Sequence, residues 1–169
     1  MTIRPQRFVL KLQALERIAQ QIAAIRLLVK KSSEATAADL ELQAHWARYA
    51  CVLTAGLLEN AVVIFYSDFV ARNAQKPVAD YAAVQIAKIQ NPKAKRFVEV
   101  AGSFKNSWAD DLEKFIEKDG RKEAIDAIMA NRHQIAHGKD SSITVARVST
   151  YLDKAEEVLE FIEKQLALK

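Results

Sequence analysis

Residues Asn131 to Asp140 read Asn-Arg-His-Gln-Ile-Ala-His-Gly-Lys-Asp and bring one guanidinium and two imidazoles close together. Upstream, Ile125, Ile128 and Met129 recur at helical spacing, which predicts a helix from near Asp119 with an apolar stripe toward the core. Arg132 lies seven positions after Ile125, about 20° off the same line along the helix, and so falls on that stripe. A buried guanidinium left unpaired is very costly, so Arg132 must meet a carboxylate inside the fold or face a cleft or a second chain. Gly138 is the expected helix stop in the left-handed conformation, which puts His137 in the last turn. The negative end of the helix dipole there favours imidazolium, which suits an acid/base catalyst. Five residues turn an ideal helix so that Arg132 and His137 point about 140° apart. Bending or unwinding at the helix end, or a composite site across two copies of the chain, would let both act at one point.

Arg132 and His137, with four residues between them, a polar residue directly after the Arg and an Ala-His-Gly ending, resemble the R-x4-6-H motif of the HEPN superfamily of helical nucleases. Gly-Leu-Leu-Glu-Asn (Gly56 to Asn60) in an apolar central helix, followed late in the chain by Arg-His-Gln-Ile-Ala-His-Gly, is similar to the RiboL-PSP-HEPN branch. The resemblance covers roughly residues 40 to 165. It implies a metal-independent endoribonuclease without a cofactor, leaving 2′,3′-cyclic phosphate and 5′-hydroxyl ends on RNA. It further implies a two-fold homodimer whose motif helices face each other, with Arg132 and His137 catalytic and His133 an auxiliary that orients phosphate or hydrogen-bonds within the site. Asn131 and Glu59 are further auxiliary candidates. Superfamily members often serve toxin–antitoxin or phage-defence systems, which raises a cognate antitoxin or operon partner. Others are inactive binding versions, so the alternative is a helical dimerisation or interaction module, antitoxin-like or RNA-binding.

The elements that must position this motif follow from hydropathy. The chain has 169 residues, half of them apolar, which suits a single domain with a substantial core. A basic amphipathic helix spans about 4–31, with Arg4, Arg7, Lys11, Arg17, Arg26, Lys30 and Lys31 against the single acid Glu16. It reads as a surface for RNA phosphates or as a solvated face. Ser32 to Thr36 is the expected turn, with Ser33 or Thr36 capping a helix from about Ala37 to Asn73. Trp46 to Val70 is apolar on nearly all sides, but Arg48, Glu59, Asn60 and Asp68 interrupt it, which favours a core helix over a membrane span. Glu59 in that helix needs a donor, and Arg132 is the most attractive cation; a backbone or Tyr donor is the other option.

Shorter helices are expected over 78–90 and 93–104 and after Ser107 as a cap, then a last helix over about 144–168. Lys93, Lys95 and Arg96 form a second basic group and, with Lys139, are the RNA-binding candidates. With no strand pattern, the whole is an all-α bundle of long antiparallel helices plus short ones. The net charge of +4 permits nucleic-acid binding without demanding it. The single Cys51 cannot form a disulfide within the chain and reads as a buried thiol; with no signal peptide pattern, this points to the cytoplasm. His133 and His137 share a helix face at a spacing that can bind a divalent metal. However, the zinc-protease pattern needs Glu where Gln134 stands, and no third ligand is evident. Four glycines include no phosphate-cradling loop, and no serine or cysteine nucleophile has a supporting constellation.

Overall fold

Helical periodicity becomes helix in every expected segment. The computed structural model describes residues 4–35 and 39–167, with side chains for 15–34 and 39–167. Among the described residues there are seven helices and no strand: α1 (Arg4–Ala35), α2 (Leu40–Asn73), α3 (Lys76–Ile86), α4 (Ala94–Gly102), α5 (Asn106–Ile116), α6 (Arg121–Ala136) and α7 (Val145–Ala167).

Several boundaries differ from expectation for local reasons. α1 runs on to Ala35, because Ser32 is buried with its hydroxyl donating to the Val29 carbonyl (3.0 Å) instead of opening a turn. Ser33 is therefore inside α1, and Thr36 lies outside the described residues. The cap of α2 is Asp39, whose carboxylate accepts from the Leu42 N–H (2.9 Å) and neutralises an otherwise unpaired donor of the first turn. α3 starts at Lys76 with Pro77 in its first turn, where a missing N–H costs nothing. Ser107 sits within the first turn of α5, and Lys105 occupies the cap position without a side-chain bond.

Chain directions follow from the contacts. Arg26 of α1 binds Asp153 (2.6 Å) and Glu156 of α7. Leu15 and Ile22 share a groove with Leu159 and Glu163, while Ser33 lies by Val145 and Ala146, so α1 and α7 are antiparallel. Phe65 and Asp68 of α2 meet Glu163 and Leu166, so α2 and α7 are parallel. The short α6–α7 connection makes those two antiparallel, and α6 therefore runs opposite to α2. The C-terminal end of α6, where the motif lies, thus shares one end of the bundle with the start of α2 and the end of α1.

α2 has the length and apolar content of a membrane-crossing helix. Its apolar surface is largely committed to neighbours: Leu57, Leu58, Ala61, Val62 and Tyr66 are fully buried, and α1, α6 and α7 all pack on it. Each large aliphatic side chain so buried contributes about 1.5–3 kcal/mol. The expected stripe of α6 (Ile125, Ile128, Met129) is buried, and of the stripe expected on α7 (Val148, Tyr151, Leu152, Ala155, Val158, Leu159, Ile162) all but the half-buried Tyr151 are buried. Trp108 and Phe115 join aromatic contacts with Phe69 and Phe161. At the start of α6, Arg121 donates to Glu157 of α7 (2.7 Å) and to the Phe115 carbonyl (3.1 Å), and lies over the Phe115 ring. Lys154 and Arg121 together hold the Glu157 carboxyl below the usual carboxylate range. This clamp sets the axis of the motif helix from its far end.

Candidate functional site at the end of α6

The end of α6 is closed by its own backbone. Gly138 takes φ +65°, its N–H bonds the Ile135 carbonyl (3.1 Å), and the Lys139 N–H reaches back to the Gln134 carbonyl (2.9 Å). These two bonds make a Schellman cap, which requires a left-handed residue and so favours glycine at 138. His137 is the last residue before it, with its backbone N–H on the His133 and Gln134 carbonyls. The imidazole makes no hydrogen bond among the described residues, so the helix end is capped by backbone and the ring is left free for other work.

The pair the structure brings together is His133 and His137. Both are exposed, and their rings meet edge to face with centroids 4.4 Å apart. Their spacing of four places them on one face, and the shorter i→i+3 bonds of the final turn close the helix beneath them. Among the described residues no group of three or more His, Cys, Asp or Glu gathers there or elsewhere to hold a metal. Arg132 makes no hydrogen bond or ring contact with His137 among the described residues; it is half-buried, on the line of the Ile125 stripe.

The expected Glu59–Arg132 pair does not form. Glu59 Oε2 instead accepts from the backbone N–H of Asn91 (3.0 Å), tying the loop before α4 to the middle of α2. The physical reason is register: antiparallel packing sets Cys51, two turns before Glu59, against the Ile128 carbonyl (3.6 Å) and the backbone of Arg132. The Arg132 side chain therefore has no carboxylate or hydrogen-bond partner among the described residues. Cys51 is the buried thiol expected, and burial pushes it up to about 12, the Arg132 backbone opposing that shift. Native protein is expected to resist a thiol reagent at pH 8 and to react fully in denaturant. Because the folded thiol titrates above its ordinary range, its contribution to stability is complete below about pH 8.5, the usual cysteine value. That contribution is lost as pH rises toward 12, and a thiol that reacts freely in the native state would contradict this burial.

Asn131 proves to be an anchor. Its Nδ2 donates to the Ala127 carbonyl (2.8 Å), and its Oδ1 accepts from the Ser141 hydroxyl (2.7 Å), which in turn accepts from the Ile143 N–H (3.4 Å). Both ends of the amide are used, so Asn131 holds the loop after the motif against α6. Ser141, buried in that loop, is a residue the sequence reading left unmarked; only its distance from Asn131 along a tight helix-to-helix connection hinted at it. Asn131→Ala is expected to destabilise the fold by about 1–3 kcal/mol, the cost of leaving a buried hydroxyl without its acceptor. Equilibrium denaturation of this variant beside Ser141→Ala checks it, since removing both partners together should cost less than the sum.

The basic residues divide. Lys139 is exposed beside the histidines, and its side chain is unpaired among the described residues. Lys95 and Arg96 both reach Glu99 (3.9 and 3.1 Å), and Ala94 of the same turn is fastened by its N–H to Asp126 of α6 (2.9 Å). Asp126 is six residues before Arg132, about 9 Å along the helix, so Lys93, Lys95 and Arg96 flank the motif at a distance. Arg26, counted among the basic residues of the first helix, is committed to Asp153 and Glu156. The side chains of Arg4, Arg7 and Lys11 lie outside the described residues.

A family model for RiboL-PSP-HEPN matches residues 14–168. The chain belongs to the RiboL-PSP-HEPN family. The match reaches well before residue 40, so most of the basic α1 is part of the RiboL-PSP-HEPN domain and not an appendage to it. The all-helical architecture agrees with a HEPN fold. No curated protein and no solved structure matches the chain.

Proposed function

We propose that this RiboL-PSP-HEPN protein is a metal-independent endoribonuclease acting through Arg132 and His137. The observation that carries the reading is the end of α6: two exposed imidazoles in ring contact beside an arginine for which the described fold supplies no counter-charge. In the reaction a 2′-hydroxyl loses its proton to an imidazole as its oxygen attacks the adjacent phosphorus. The P–O5′ bond breaks, the leaving oxygen takes a proton from a second imidazole, and the products are a 2′,3′-cyclic phosphate and a 5′-hydroxyl. Arg132 neutralises the charge that builds on the phosphoryl oxygens.

Two copies in a homodimer would set Arg132 and His137 of opposite chains around one phosphate and supply both proton-moving groups. An exposed strip on α2 favours such a dimer: Leu42, Tyr49 and Val52 lie on one face with Gly56, where a Cβ would meet nothing within 4 Å. The proposal places the protein in the cytoplasm, where a lone thiol stays reduced, and leaves room for an antitoxin or operon partner.

The test is incubation of the purified protein with total and single-stranded RNA in EDTA, reading fragment lengths and end groups. Fragments with cyclic phosphate ends from the wild type alone, and none from His137→Ala, are expected. A stable dimer that leaves RNA intact at high concentration would replace this reading with a non-catalytic interaction module.

A further inference from the structure

Arg48 of α2 is in the same electrostatic position as Arg132. Its Nε is buried without a hydrogen-bond partner, and no carboxylate pairs with its guanidinium among the described residues. It lies one turn before Cys51, the α2 residue that touches α6 at Ile128 and Arg132. Because α2 and α6 are antiparallel, one turn back along α2 is one turn forward along α6, toward His133 and His137. Around the helix Arg48 stands about 60° from Cys51, and Val52 about 100° in the same sense. Arg48 therefore occupies the seam between the face packed on α6 and the open strip of Tyr49, Val52 and Gly56. The acids nearest to it along this helix do not pair with it: the capping Asp39 accepts from Leu42, Glu41 is exposed two turns before it, and Glu59 is bonded to Asn91.

Two half-buried guanidiniums on packed helices, neither matched by a carboxylate among the described residues, each carry a desolvation cost in the empty site. A bound anion removes both costs. We propose that Arg48 is a substrate-binding residue of the same site, holding a phosphate of the RNA strand that neighbours the one Arg132 steadies. This rests on the nuclease reading and deepens it: the site takes at least two consecutive phosphates, so a strand and not a single nucleotide is its ligand. A residue that grips a flanking phosphate sets KM and leaves kcat at saturation nearly unchanged.

The experiment uses Arg48→Met, which keeps the apolar stem and removes the charge. Binding of a short fluorescein-labelled single-stranded RNA is measured over a salt series, with His137→Ala in both proteins so that the probe stays whole. Cleavage and thermal midpoints are compared without that change. Expected are at least 10-fold weaker binding, a salt slope shallower by about 0.7 for the lost phosphate contact, a raised KM and a raised midpoint. A lower midpoint with an unchanged salt slope would mark Arg48 as structural and overturn the proposal while leaving the nuclease reading intact. Wild type that neither binds nor cuts RNA overturns the nuclease reading. Inorganic polyphosphate then decides the anion site: stabilisation of wild type but not of Arg48→Met sustains it, and equal or no stabilisation ends it.

Discussion

Replacing His137 with alanine is expected to lower RNA cleavage by about 10²–10⁴-fold, the usual contribution of a positioned acid or base, while leaving the fold untouched. The second half of that expectation comes from the helix end. A histidine at this position could serve only to bind the last carbonyls of α6, and its loss would then fray the helix. The carbonyls of His133, Gln134 and Ile135 are instead met by the backbone N–H groups of His137, Gly138 and Lys139, and among the described residues the exposed imidazole makes a ring contact with His133 and no hydrogen bond. An exposed side chain with so few contacts changes stability by less than about 0.5 kcal/mol when removed. Circular dichroism and a denaturation midpoint alongside the cleavage rate check both parts. Cleavage at the wild-type rate would remove His137 from the chemistry, and a collapsed midpoint would return it to a structural role.

Arg132 is expected to show the same separation by a different cause. Loss of one charge-stabilising donor costs on the order of 10²–10³-fold in rate, so Arg132→Met should come close to silencing the enzyme. Its stability should hold or rise, because no carboxylate of the described fold is left unpaired by the change and the apolar stem is retained. The same geometry governs a double-mutant cycle with Glu59→Gln. Glu59 is bonded to Asn91, so the two substitutions should be additive within about 0.3–0.5 kcal/mol. A coupling well above that, read from denaturation of the four proteins, would restore the ion pair that the structure rejects.

Much of the molecule is written in local pattern. Apolar residues recurring at helical spacing place all seven helices, because the side chains that must be buried together are neighbours on one helix face. The end of α6 is equally local: a glycine after His137 closes the turn whatever packs around it, so His133 and His137 could be set on one face, and His137 at the stop, from spacing alone.

Partnerships across helices were decided by the tertiary structure. Glu59 and Arg132 are 73 positions apart, and which donor Glu59 meets depends on the register of α2 against α6, a quantity that no periodicity within either helix contains. Asn131 looked like a member of the motif and became a loop anchor once Ser141 folded back upon it. Arg48 in the sequence merely interrupts an apolar run; in the bundle it lies one turn from the contact of α2 with α6, and its Nε is buried without a partner among the described residues. The chain alone thus determined the helices, the cap and the kinds of groups available for chemistry, since these follow from contacts within a few turns. Which charges are neutralised and which remain open to a ligand depends on long-range packing, and that only the assembled bundle could decide.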